Sequence, residues 1–124
     1  MNISQMAGTS PVTLKAQYSE AIATGNTGTV IVQAQFGTAF TPISATGFVG
    51  SIGGATATLD VQVSGASILT GTITLAADSA VAGTVTSGTT IADSTDVSFI
   101  FNNASGGNIT EAQGTITGYV THTS

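Results

Sequence analysis

Three side chains in this sequence combine a reactive type with a suggestive setting: His122, Asp93 and Asp96. A histidine titrating near neutral pH is the common general base and metal ligand. His122, however, stands close to the C-terminus with no Ser–His–acid pattern around it, and reads as a solvated tail residue or an interface contact. Asp93 and Asp96 flank Ser94 and Thr95 in IADSTDV, where a loop leads into a strand. Two carboxylates begin a Ca²⁺ site, which needs about six to eight oxygens. An Asx turn at the start of the strand uses the same residues without an ion; the turn is the expectation and Ca²⁺ the alternative. Glycoside hydrolysis needs two carboxylates about 5–10 Å apart in a cleft, and no motif pairs the other acids, Glu20, Asp60, Asp78 and Glu111. With no cysteine there is no thiolate nucleophile, no zinc–thiolate site and no disulfide. The expectation is a protein that is not an enzyme and takes no metal and no cofactor.

Charge narrows the partners. Lys15 is the single cation against six carboxylates, a net charge of −5. Phosphate backbones and anionic membrane surfaces are both recognised by clusters of Lys and Arg, so nucleic acid and membrane are disfavoured. Charged residues make up 6% of the chain, against about 25% in ordinary soluble domains. Little repulsion then holds copies apart, which points to assembly. The first ten residues, MNISQMAGTS, lack the basic and apolar regions of a signal peptide. No apolar run approaches the roughly 20 residues of a membrane-spanning helix. Sequons at Asn2, Asn103 and Asn108 read as chance in so Thr- and Ser-rich a chain. Tyr18 and Tyr119 are the candidates for stacking on sugar rings, while Phe36, Phe40, Phe48, Phe99 and Phe101 read as core or subunit-interface residues.

These residues must be positioned by strands. Apolar and polar residues alternate with a period of two throughout, the mark of half-buried antiparallel strands. The runs fall near 12–18, 29–36, 55–63, 67–76, 80–86, 96–102 and 114–121. Residues 20–23 read as a helical turn or a bulge, residues 39–43 as a loop or edge strand because of Pro42, and 45–54 as a run whose glycines suggest a bulge or a close sheet contact. Ser64-Gly65-Ala66 marks one turn and the stretch from Asn103 to Asn108 a hairpin loop. About eight short strands predict an all-β, single-domain antiparallel sandwich over 11–124, jelly-roll-like with an immunoglobulin-like alternative, preceded by an N-terminal arm over 1–10. Leu59, Val61, Val63, Leu69, Ile73, Leu75, Val97, Phe99 and Phe101 are the predicted core, and residues 57–101 the four-strand centre of the sandwich. Thr58, Thr70, Thr72 and Thr74 form the opposite, threonine-rich set, expected to be covered by copies of the chain or by a larger shell.

The run VQVSGASILTGTITLAAD, a Thr/Gly hairpin, TIADSTDVSFIF, a glycine pair and the closing ITGYVTHT together resemble the head decoration (cement) proteins of tailed phages and related all-β fibre domains. The resemblance covers residues 57 to 121 and leaves the first 56 unmatched. It implies a sandwich, often a homotrimer, made in the host cytoplasm and seated on the outer surface of the virion. There it would clamp neighbouring major capsid proteins against internal pressure. The partner-binding candidates are then Asn2, Ile3, Ser4, Gln5 and Met6 of the arm, which would add to a capsid strand or cross to a neighbouring subunit, with Thr70, Thr72 and Thr74. Deleting residues 1–10 is expected to spare the fold and weaken capsid retention. The alternative is a fibre, spike or adhesin domain that binds a host glycan or receptor. Such domains usually belong to longer chains, and a 124-residue chain opening at Met1 leans away from one.

Overall fold

The computed structural model describes residues 8–52 and 56–122, with the backbone alone at Gly8 and His122. Its strands are β1 (Gly8–Tyr18), β2 (Thr27–Ala34), β3 (Phe40–Phe48), β4 (Thr56–Val63), β5 (Ala66–Ser67), β6 (Ile73–Thr74), β7 (Val81–Thr84), β8 (Thr95–Ser105) and β9 (Ala112–His122). Pairing is nested and antiparallel: β1 with β9, β2 with β8, β3 with β7 and β4 with β5. One long hairpin makes those contacts, and wrapping it into two layers adds β3 to β9 and β4 to β8. The first sheet then runs β1-β9-β3-β7 and the second β2-β8-β4-β5, with β6 also on β4. This is a jelly roll. An immunoglobulin-like sandwich would set its first two strands in one sheet, whereas β1 and β2 here lie in different sheets.

The alternation decides which side chains meet between the layers. β8 turns Val97, Phe99 and Phe101 inward, and β4 turns Ala57, Leu59 and Val61 inward, all fully buried. Of the predicted core, only Val63 remains partly exposed, at the end of β4. The bulk comes mainly from the second sheet, and the first sheet makes room for it. A Cβ on Gly114 would lie 2.6 Å from the Phe99 ring, one on Gly47 2.5 Å from Leu75 and one on Gly83 2.5 Å from Ile73. Several glycines in the chain are therefore the floor under large side chains, as close packing demands.

Five local expectations change. Pro42 lies inside β3, neither in a loop nor on an edge strand: a bulge falls between Pro42 and Ser44, and β7 pairs only from Ser44 onward, so no ladder partner needs the missing N–H. The run 67–76 is broken because Ile68 and Leu69 are both buried, which breaks the period. The chain leaves β5, bridges from Leu69 to Val85, and returns to β4 as β6. Residues 57–101 therefore supply strands to both sheets and do not form one four-strand centre. Residues 20–23 form neither a helical turn nor a bulge within a strand; Ile22 bridges Ile109 across the end of the sandwich. Gly8, Thr9 and Ser10, assigned by sequence to the arm, pair in β1 with His122, Thr121 and Val120.

The β4–β5 hairpin turns on two residues, Ser64 and Gly65, at φ 53° and 81°. Two successive positive φ values define the type I′ turn, which favours Asn-Gly. Ser64→Asn is expected to stabilise the protein by about 0.5 kcal/mol, because asparagine tolerates this backbone better than serine. A thermal melt checks it, and an unchanged or lower midpoint would count against the turn assignment.

Candidate docking surfaces

The groups that could do chemistry are dispersed. Among the described residues, no three His, Cys, Asp or Glu side chains gather as metal ligands would. Asp93 does not cap its own strand; its Oδ1 accepts the Phe36 and Gly37 N–H groups at 3.1 and 3.0 Å and so fastens the β2–β3 loop. The Asx-turn expectation is corrected accordingly. Ser94 takes the left-handed backbone at φ 62°, and its N–H reaches the Ala34 carbonyl at 2.6 Å. Asp96 is exposed on β8, opposite Gln33. Asp60 is held on the outer side of β4 by the Val61 N–H at 2.9 Å, Gln62 Nε2 at 3.0 Å and Ser67 Oγ at 2.6 Å. His122 pairs with Gly8 through its backbone.

Of the sequons, Asn103 is fully buried and both its amide hydrogens are used: Nδ2 donates to the Ile22 and Gly107 carbonyls at 2.9 and 2.7 Å. It belongs to β8 rather than to the predicted hairpin loop, and it ties the 19–26 connection to the β8–β9 turn.

What the fold does present is two broad outer faces. On the first sheet, register places Thr13, Thr117, Ser44 and Thr84 in one row across all four strands. The next row is Lys15, Thr115, Thr46 and Ala82, and another is Pro11, Tyr119 and Thr41. Strands about 4.8 Å apart make this a continuous hydroxyl surface, with Lys15 the only charge in these rows. The outer face of the second sheet sets Ile31, Ser98 and Gln62 in one row and Thr29, Ile100 and Asp60 in the next. Ile31 is 61% exposed there, and Ile43, at the β3 bulge, is 58% exposed.

The threonines singled out by sequence do not share one surface. Thr74 faces Thr58 and extends the second sheet, whereas Thr70 donates its N–H to the Thr84 carbonyl at 2.9 Å beside the first sheet. Thr72 is exposed in the connection before β6. Asn2, Ile3, Ser4, Gln5 and Met6 lie outside the described residues. The rows of Thr13, Thr115 and Thr117 were missed because alternation shows that they point outward but not which strands lie side by side.

No protein-family model and no curated protein matches the sequence. Among solved structures, the chain is similar to one in the Cyanophage Pam1 capsid asymmetric unit, with a TM-score of 0.54 and 17% identity. The match covers 92% of this chain and 86% of that one, so the two are of nearly equal length. At this identity the likeness is one of fold.

Two further features bear on docking. Tyr18 turns inward and packs over Gly28, while Tyr119 lies outward between Pro11 and Thr41, so the two tyrosines do not line one groove. The open edge strands β1 and β2 also differ in kind. β1 carries Pro11 and the sole cation, Lys15, two devices that discourage strand addition. β2, TGTVIVQA, carries neither.

Proposed function

We propose that this protein is a structural virion component of a tailed phage, a decoration (cement) protein bound to the outer surface of the major capsid protein lattice, which it stabilises. The observation that carries this reading is the end-to-end similarity of fold to a chain of nearly its own length in a phage capsid asymmetric unit. The surface chemistry agrees with it. A role without turnover needs complementary area, upwards of about 1,200 Å² for a stable contact, and the broad, charge-poor hydroxyl faces offer such area. Binding only the assembled shell favours that shell by mass action. The adhesin alternative is weaker, because the two tyrosines stand apart.

Cryo-electron microscopy of particles from the phage that encodes the chain tests this. The expected result is density for this jelly roll on the outer capsid surface, in stoichiometric copies fixed by the icosahedral lattice. Density at a fibre or spike, or none on the shell, would overturn the assignment. Removing residues 1–7, which spares all of β1, is expected to lower occupancy on particles while the melting temperature of the free protein stays unchanged. Equal occupancy would remove the arm from the contact.

A further inference from the structure

β2 is the open edge of the second sheet. Among the described residues, the backbone from Gly28 to Gln33 bonds only to β8, and none of them pairs with the other side of the strand. A strand edge without proline, charge or bulge is a template for another strand. Three further observations say which strand. Ile31, at mid-strand, is the most exposed large apolar side chain among the described residues. Val30 and Val32 point toward the core yet stay only partly buried among the described residues. About Ile31 the strand sets Val30 against Val32, and the flanking positions pair Thr29 with Gln33 and Gly28 with Ala34, all uncharged. A two-fold contact brings the same patch of two subunits together, so residues equidistant from the axis must suit each other. This strand meets that condition with branched, uncharged partners.

We propose that β2 pairs antiparallel with β2 of a second copy about a two-fold axis at Ile31, joining two five-stranded sheets into one continuous sheet. Ile31 packs against its own mate on the outer face, and the two valine pairs close the open side of each core. No like charges meet. At β1 the same pairing, centred on Thr13, would set Lys15 opposite Pro11 and lose a bond there, so the two edges are not equivalent. The two-fold replaces the homotrimer implied by the resemblance. It rests on the sheet edge and not on the capsid assignment, so it is tested on purified protein without particles.

The chain has no cysteine, so one introduced thiol reports alone. Directly opposed residues in an antiparallel pair have Cα atoms about 4.5–5.5 Å apart, within disulfide range. Ile31→Cys is expected to convert mostly to a disulfide-linked dimer in a glutathione redox buffer, while Thr117→Cys, on the outer face of the other sheet, stays monomeric. In sedimentation, the wild-type chain is expected to be a dimer. Ile31→Lys and Ile31→Glu should each weaken it at least tenfold, with circular dichroism unchanged, and an equimolar mixture of the two should restore it. A monomer or trimer in the wild-type protein would overturn the proposal. So would cross-linking of Ile31→Cys no greater than that of Thr117→Cys. A chain monomeric in solution whose β2 is covered only on particles would assign the edge to a capsid strand instead, against the proposal.

Discussion

Gly118→Ala is expected to lower the melting temperature by more than about 10 °C, the loss that roughly 3 kcal/mol brings to a domain of this size. Gly118 lies inward on β9, directly opposite Pro42 of β3. A Cβ there would stand 2.0 Å from the Thr41 carbonyl oxygen and 2.7 Å from the Pro42 Cα. Both are backbone atoms, so relief requires the bulged segment of β3 to leave β9. Ordinary overpacking costs about 1–3 kcal/mol because side chains can give way; here the Phe40 ring also stands in the way, but the two nearest obstacles are backbone. At Gly114, by contrast, the obstacles are the Phe99 ring and the Leu59 side chain, and Gly114→Ala should cost less. Gly71 has nothing within 4 Å of its Cβ position and serves as the control, with Gly71→Ala neutral or slightly stabilising. Thermal melts of the three variants check the order. A Gly118→Ala midpoint within a few degrees of wild type would mean that β3 yields easily at its bulge.

The second large effect is expected at Asn103. Its two amide hydrogens face two carbonyls, which fixes the amide orientation, since the flipped form would set oxygen against oxygen. Its Oδ1 is buried with no partner among the described residues. Asn103→Leu keeps the volume and removes that orphan acceptor. The Ile22 carbonyl still receives the Ile109 N–H, whereas Gly107 loses the bond from Nδ2. A loss of about 2 kcal/mol follows from stranding a buried carbonyl. Asn103→Asp should be worse at pH 7, because a buried carboxylate would face two carbonyl oxygens. Burial raises such a group's pKa in the folded state above the unfolded value of about 3.9. The variant's stability should therefore fall as pH rises above about 4 and recover as pH is lowered through the folded-state pKa. Denaturant titrations of both variants at pH 4.5 and 7.5 test this. An Asp variant as stable as the Leu variant at pH 7.5 would show that the site admits water.

Much of the architecture was legible in the sequence because period-two alternation has a single physical cause, the pleat. It placed Leu59, Val61, Val97, Phe99 and Phe101 inside. Pairing between distant strands left no such trace. Thr13 and Thr117 share a row only because β1 lies beside β9, and nothing local records that. Thr70 and Thr74 are alike in spacing, but the consecutive buried pair Ile68 and Leu69 takes the chain across to Val85 before Thr70, and it returns to β4 only at Ile73. Asn103 looked like hairpin chemistry, since a polar residue before two glycines is common in turns; its burial depends on Ile22, 81 positions earlier. Pro42 was set outside the sheet's interior by the missing N–H, and the bulge that excuses it depends on where β7 ends.

The nested pairing also orders events in time. β9 is the inner neighbour of both β1 and β3, so without Ala112–His122 the first sheet retains only the short β3–β7 ladder. Those eleven residues are the last of the described chain to be synthesised. On a ribosome adding about 5–20 residues per second, β1 waits for its partner through the translation of every strand from β2 to β8. Contacts so distant in sequence also close slowly once both ends are free. The first of the described strands to be made is thus among the last to be satisfied, and the half-built jelly roll holds β1 without its β9 partner until Ala112–His122 has emerged.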